Sequence, residues 1–228
     1  SQAIGDYKKV KEKAKLVEDK DQLEPIITVG KRIEKAIKYY FKSKNLKDPT
    51  ENYDWEYILI NDPKTLNAWC MPGGKIAFYT GILEVTKDEN GLAAVMGHEI
   101  AHAVASHARE RMSNGLLLNF GVGALSSAMG QNPTLTQQIF LQSVGVGSQL
   151  GMLKFSRKHE LEADEMGLIF MAMAGYDPRQ APVFWERMAA AGGEAPPEFL
   201  STHPGPDRRI DRLNANMAKA MEYYNAAK

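Results

Sequence analysis

Residues 6–43 carry apolar and charged positions in a pattern that reads as helix, with a break near Asp19-Lys20-Asp21 and Pro25 at a plausible helix start. Lys44 to Asn52 is a polar connection holding Asp48-Pro49. The period then changes. Trp55 to Ile60 is rich in β-formers, Asn61-Asp62-Pro63 predicts a turn, and Leu66 to Cys70 reads as extended. Pro72-Gly73-Gly74 predicts a second turn before Lys75 to Tyr79, so a small sheet of about three strands is expected ahead of residue 90. From Asn90 onward the pattern predicts helix after helix, and no further strand. The expected fold class is therefore α+β, mainly α. Residues 1–50 are expected to form a helical segment packed on the core and residues 51–228 the main domain, together making a single domain.

Two later stretches, residues 115–129 and 139–153, are apolar and Gly-rich. A membrane span wants about 20 apolar residues. These are shorter and are interrupted by Asn119, Ser126, Ser127, Gln142 and Gln149, which favours packed helices with close Gly/Ala contacts. A mobile lid or a membrane-dipping hairpin is the alternative. Gly192-Gly193 and Pro196-Pro197 mark a loop before a C-terminal helix that starts near Pro206.

The 228 residues carry 28 Lys plus Arg and 28 Asp plus Glu, so the net charge is zero. That argues against a broad nucleic-acid surface, which needs clustered positive charge. Residues 8–47 are locally Lys-rich, but interleaved acids make them a solvated helix face. Cys70 is the sole cysteine, which excludes an intrachain disulfide. Between Trp69 and Met71 it reads as a buried, inert thiol. The chain starts at Ser1 with neither an initiator Met nor an apolar leader, as expected for a trimmed or processed end.

Chemistry enters with His98-Glu99-Ile100-Ala101-His102. On a helix, residues four apart lie about 40° from one another around the axis, so both imidazoles can reach one small cation. Glu99 is turned about 100° off that line, beside the metal rather than on it, where a carboxylate can take a proton from water activated there. Asp88, Glu89 and Asn90 supply capping and first-turn acids, placing the motif mid-helix in a segment expected to be buried on one face. The alternative is a pair of satisfied core histidines. A catalytic zinc takes three protein ligands and water, so one ligand is missing. Glu160 and Asp164 stand four apart ahead of an apolar run, sharing a helix face while Glu162 points elsewhere. One of the two acids can ligate zinc while the other accepts the outward N–H of a ligand imidazole. His107 and His159 read as structural or exposed.

The His98–His102 helix, the later Glu160 and Asp164, the strand and loop Asn67-Ala68 to Pro72-Gly73-Gly74, and Thr202-His203-Pro204 with Arg209-Ile210 occur in that order. This arrangement resembles the family of the CAAX prenyl endopeptidases, the bacterial heat-shock protease HtpX and the mitochondrial overlapping-activity protease, and most resembles its compact bacterial members. The resemblance covers about residues 55–215. It implies a zincin-like metallopeptidase with one zinc per chain, held by His98, His102 and Glu160, with Glu99 as general base and Asp164 orienting His98. His203 and Arg209 match a late motif that approaches the metal or the developing oxyanion. In some relatives the equivalent histidine caps the zinc.

The implied function is hydrolysis of peptide bonds in extended or misfolded proteins, bound as an added β-strand. The alternative is a latent or non-catalytic quality-control chaperone or adaptor, its metal site closed by His203. Peripheral membrane association through residues 115–129 is a third reading. Similarity to exported bacterial relatives implies an extracytoplasmic, periplasmic setting.

Overall fold

Asp19 opens the long second helix of the protein, its side chain accepting the Asp21 N–H at 3.0 Å. The computed structural model describes residues 2–106, 157–192, 197–203 and 206–228. Helix α1 spans Gln2–Lys13 and α2 spans Lys20–Ser43. Pro25 therefore lies inside α2 and not at its start. The cap belongs to Asp19, and so near the N-terminus the ring gives up only the one bond to the Asp21 carbonyl. Ile26, Val29, Ile33 and Ile37 form the fully buried stripe of α2.

The expected sheet is present. Strands β1 (Glu56–Ile60), β2 (Ala68–Met71) and β3 (Lys75–Tyr79) lie in the order β1-β3-β2, with β1 parallel and β2 antiparallel to β3. Gly73 and Gly74 turn the chain between β2 and β3 at φ 98° and 84°, which side chains rarely adopt. Alternation sends Leu59, Ala68, Ile76 and Phe78 into the main core. Ile58, Ile60, Trp69, Met71, Ala77 and Tyr79 face the other way, where Tyr7 and Val10 of α1 cover them.

The two edges of the sheet differ. Val17 N–H donates to Leu59 O (2.8 Å) and Asn61 N–H to Lys15 O (2.7 Å), so the link between α1 and α2 runs along the outside of β1. Among the described residues β2 pairs only with β3.

After β3 come α3 (Thr80–Thr86) and α4 (Glu89–Val104), the latter capped by Asp88, whose side chain accepts the Gly91 N–H at 3.0 Å. Beyond residue 156 lie α5 (Arg157–Met173), α6 (Gln180–Ala190), α7 (Glu198–Thr202), α8 (Pro206–Ala215) and α9 (Met217–Ala226). The single C-terminal helix expected from Pro206 is thus two, divided at Asn216. Helix α4 is buried all round from Gly91 to Val104, not on one face, because α2, β2, α5 and α6 surround it. No helix among the described residues is long and apolar enough to cross a membrane. Residues 115–129 and 139–153 lie outside the described residues.

Contact between α4 and α5 decides what the site can be. A Cβ on Gly97 would sit 2.8 Å from Gly167 O, and one on Gly167 would sit 2.7 Å from His98 N. Only glycine at both positions lets the two backbones meet there.

Candidate metal centre

Helix α4 delivers His98, Glu99 and His102, and α5 delivers Glu160 and Asp164 from the helix that Gly167 holds close. The residue after α7 is His203, and α8 brings Arg209. All seven side chains are buried, none more than 4% exposed.

One ligating atom from each of His98, His102, Glu160 and His203 lies within 4.8 Å of the others. His98 Nε2 and His102 Nε2 are 3.0 Å apart, and His102 Nε2 is 3.3 Å from Glu160 Oε1. His203 Nδ1 reaches to 3.0 Å from Glu160 Oε1 and 3.3 Å from His98 Nε2. His203 Nε2 is 3.4 Å from Glu99 Oε1. Behind the cluster, Asp164 Oδ1 lies 3.1 Å from His98 Nδ1, on the side of the ring away from His102.

This donor set fits a cation. Glu160 Oε2 and Glu99 Oε1 are buried and accept no hydrogen bond among the described residues. Arg209 Nη1 comes within 2.7 Å of Glu160 Oε2 as a charge contact only. A buried acceptor left without a hydrogen bond costs about 1–3 kcal/mol. A cation at the meeting point of three imidazoles and Glu160 would offset that cost for Glu160. Nitrogen and oxygen donors of this kind suit zinc.

Burial and neighbouring charge divide the acids. Burial is the largest influence on Glu99 and raises its carboxyl above the ordinary range, against the pull of His203 and His98. For Glu160 burial also pushes upward, but His203 and Arg209 outweigh it and hold the group well below its usual value. Asp164 is likewise lowered, its burial overcome by Arg209 and His98. Burial carries His102 well below the ordinary imidazole value. In His98, burial and Arg209 push down, yet hydrogen bonding to Asp164 and Glu160 leaves the ring raised. Two carboxylates held below the ordinary range are thus set beside a third held above it, the division of labour that acid–base chemistry uses.

Arg209 lies among the ligand side chains. Its guanidinium lies along Asp164, against Glu160 and the His98 ring, and 3.5 Å from the centre of the Trp185 ring. Glu162 is exposed, His159 is buried but stands outside the four-residue cluster, and His107 lies outside the described residues. Sequence reasoning missed Trp185, whose ring stands edge-on to His98 at 5.5 Å, and Phe199, which stacks on Trp185 and, at 4.5 Å, on His203. Nothing in their local sequence marks them. Gly97 and Gly167 were also missed, although one directly precedes the motif and the other follows Asp164 by three residues.

A histidine pair on one buried helix, closed by an acid from a second helix, is the donor set of a zincin-type metallopeptidase. Residues 29–217 match peptidase family M48, and the chain belongs to that family, whose metal is zinc. The match begins inside α2 and ends at the first residue of α9.

The chain is 38% identical over 195 residues to the mitochondrial metalloendopeptidase OMA1 of Arabidopsis thaliana, covering 84% of this chain and 38% of that protein. To the OMA1 of Schizosaccharomyces pombe it is 39% identical over 168 residues, covering 73% and 48%. To the β-barrel assembly-enhancing protease of Escherichia coli it is 29% identical over 228 residues, covering 96% and 44%. The chain therefore spans less than half the length of these curated relatives. They are of the mitochondrial overlapping-activity type that the resemblance names and of the β-barrel assembly type; HtpX and the CAAX endopeptidases, which it also names, are not specifically supported.

Proposed function

We propose that the protein is a zinc-dependent endopeptidase acting on extended or misfolded polypeptides, with His98, His102 and Glu160 as ligands and Glu99 as general base. The observation that supports it most is Glu99 itself. It is buried on the ligand helix beside the cluster, 3.4 Å from His203 Nε2, and burial raises its carboxyl above the ordinary carboxylate range. Zinc, when bound, supplies the Lewis acid that activates water and polarises the scissile carbonyl. Glu99 takes the proton of the attacking water and hands it to the leaving amine. Asp164 holds the His98 ring in place from behind.

The substrate is proposed to add as a strand to β2. Tyr79 N–H donates to Asn67 O (3.1 Å), so residues 67, 69 and 71 turn their main-chain groups to β3 and residues 66, 68 and 70 turn theirs outward. On that outward side Leu66 O accepts the Phe199 N–H (3.2 Å) and the Ala68 N–H donates to Asn67 Oδ1 (2.9 Å). Among the described residues, Ala68 O and both main-chain groups of Cys70 are left to meet a peptide, and Pro72 ends the ladder for want of an N–H. Backbone pairing of this kind selects extended chains rather than particular side chains. The name of the Escherichia coli relative supports an extracytoplasmic role on unassembled proteins, and residues 115–129 remain the candidate for peripheral membrane contact.

Glu99→Gln tests the reading. The variant is expected to keep fold and zinc while casein cleavage falls by roughly 10²–10⁴-fold. Cleavage at the wild-type rate by a zinc-loaded variant would end the proposal.

The position of His203 supports a second reading, a latent form of the same enzyme. Its Nδ1 sits where a fourth ligand would, and its ring is held by stacking on Phe199. His203→Ala is then expected to speed cleavage; a slower variant would instead assign His203 to the chemistry.

A further inference from the structure

The resemblance puts Arg209 beside the metal or the developing oxyanion. In the structure its donors are already committed. Nε meets Asp164 Oδ2 at 2.9 Å and Nη2 meets Oδ1 at 2.5 Å, a two-pronged pairing that only a guanidinium can make. Nη1 is turned to Glu160 Oε2 at 2.7 Å. One face of the group rests on Trp185, and the residue is 1% exposed.

We propose that Arg209 is a positioning residue: it locks Asp164 against His98 and so fixes which nitrogen of His98 faces the metal. This rests on the zinc reading above. Asp164 Oδ1 stands 3.1 Å from His98 Nδ1, and Arg209 Nη2 rests against the same ring, 2.9 Å from Nδ1 and 3.0 Å from Nε2, so the Asp164–Arg209 pair holds the ring as one unit. Nε2 then faces the other ligands, 3.0 Å from His102 Nε2. Without the guanidinium, Asp164 is a buried carboxylate facing a single imidazole. It would be free to rotate, and the His98 ring with it, away from the geometry in which Nε2 meets the other ligands. Trp185 completes the chain, bracing Arg209 on one side and the His98 ring on the other.

The test is a double-mutant cycle on zinc affinity, read by competition with a chromogenic chelator, with casein cleavage measured alongside. Arg209→Met and Asp164→Asn are each expected to weaken zinc binding roughly 10–100-fold, as the loss of a partner behind a ligand histidine does. Because the two act through one bond, the double variant should be no weaker than the worse single variant. An oxyanion role predicts the opposite: Arg209→Met would keep wild-type zinc affinity and lose kcat. That result, or losses that multiply in the double variant, would overturn the proposal.

Arg209→Lys keeps the buried charge but not the fork, and carries the same comparison if the Met variant fails to fold. It is expected to hold its near-ultraviolet circular dichroism yet remain at least tenfold weaker for zinc. Full recovery of affinity by Lys would show that charge alone is needed and would overturn the positioning role. A wild-type protein that takes up no zinc would sink the zinc reading itself. Retained zinc affinity in Arg209→Met beside a zinc-loaded, casein-cleaving wild type would sink only the role given to Arg209.

Discussion

At Glu99 two influences oppose each other. Burial raises the carboxyl, the nearby imidazoles lower it, and burial wins, leaving it above its ordinary 4.5. In the unfolded chain the same group ionises at the ordinary value, so at neutral pH its ionisation works against folding. Its contribution to stability is complete below the unfolded value and is lost as pH rises through the folded one. Glu99→Gln keeps the shape and removes the charge. The metal-free variant is therefore expected to melt at a higher temperature than wild type at neutral pH, with the gain vanishing below about pH 4.5. Thermal melts of both proteins across that range decide it, and equal midpoints at neutral pH would contradict the burial argument. Glu160 and Asp164 carry the opposite sign. Their lowered values add stability above the carboxylate range, and that stability is lost as pH falls through those values. His98, His102 and the paired acids could be picked out along the chain because helical spacing alone puts them on shared faces. Trp185 and Phe199 could not, since what makes them matter is a ring contact across helices.

Between elements, the contact of α4 with α5 sets the width of the site. An alanine at Gly167 would put its Cβ 2.7 Å from His98 N and 2.8 Å from Gly97 C, backbone atoms that cannot swing aside. Gly167→Ala is expected to cost about 1–3 kcal/mol of stability, the usual range for overpacking. It should weaken zinc affinity in the same protein, because α5 carries Glu160. Denaturant unfolding with chelator competition measures both; an undisturbed zinc affinity would mean that the helices separate without opening the ligand set. The three strands followed from local alternation and the Pro-Gly-Gly turn, and α4 from its cap and period. The errors have local causes too. Pro25 is tolerated inside α2 because Asp19 caps the helix six residues earlier and only the bond to the Asp21 carbonyl is lost, and the break at Asn216 interrupts a segment whose composition stays helical.

For the whole molecule, the first residues close the side of the sheet that the core does not. Tyr7 and Val10 cover the face carrying Ile58, Ile60, Trp69, Met71, Ala77 and Tyr79, while residues 15–17 line the outer edge of β1. Removing residues 1–17 would bare an apolar face and a strand edge together, the combination that drives association. The shortened protein is expected to self-associate in sedimentation velocity at concentrations where the full chain stays monomeric. A soluble monomer would show that this cover is dispensable. The same arrangement leaves β2, next to the metal helix, as the edge on which a substrate strand is proposed to dock.

By itself the sequence determined what lies within one element. The histidines one helical turn apart, the base between them, the acid pair on α5 and the alternation of the strands all follow from a period of 3.6 or 2 that any reader of the chain can apply. The tertiary structure decided what depends on the distance between elements. It set Glu160 toward the imidazoles and Asp164 behind His98, brought His203 to within reach of both ligand histidines, and turned Arg209 onto the acids and the His98 ring. No local period encodes those relations, because they are fixed by how closely α4 and α5 approach and by how the chain after α7 returns, and the approach is set by two glycines seventy residues apart whose only role is to have no side chain.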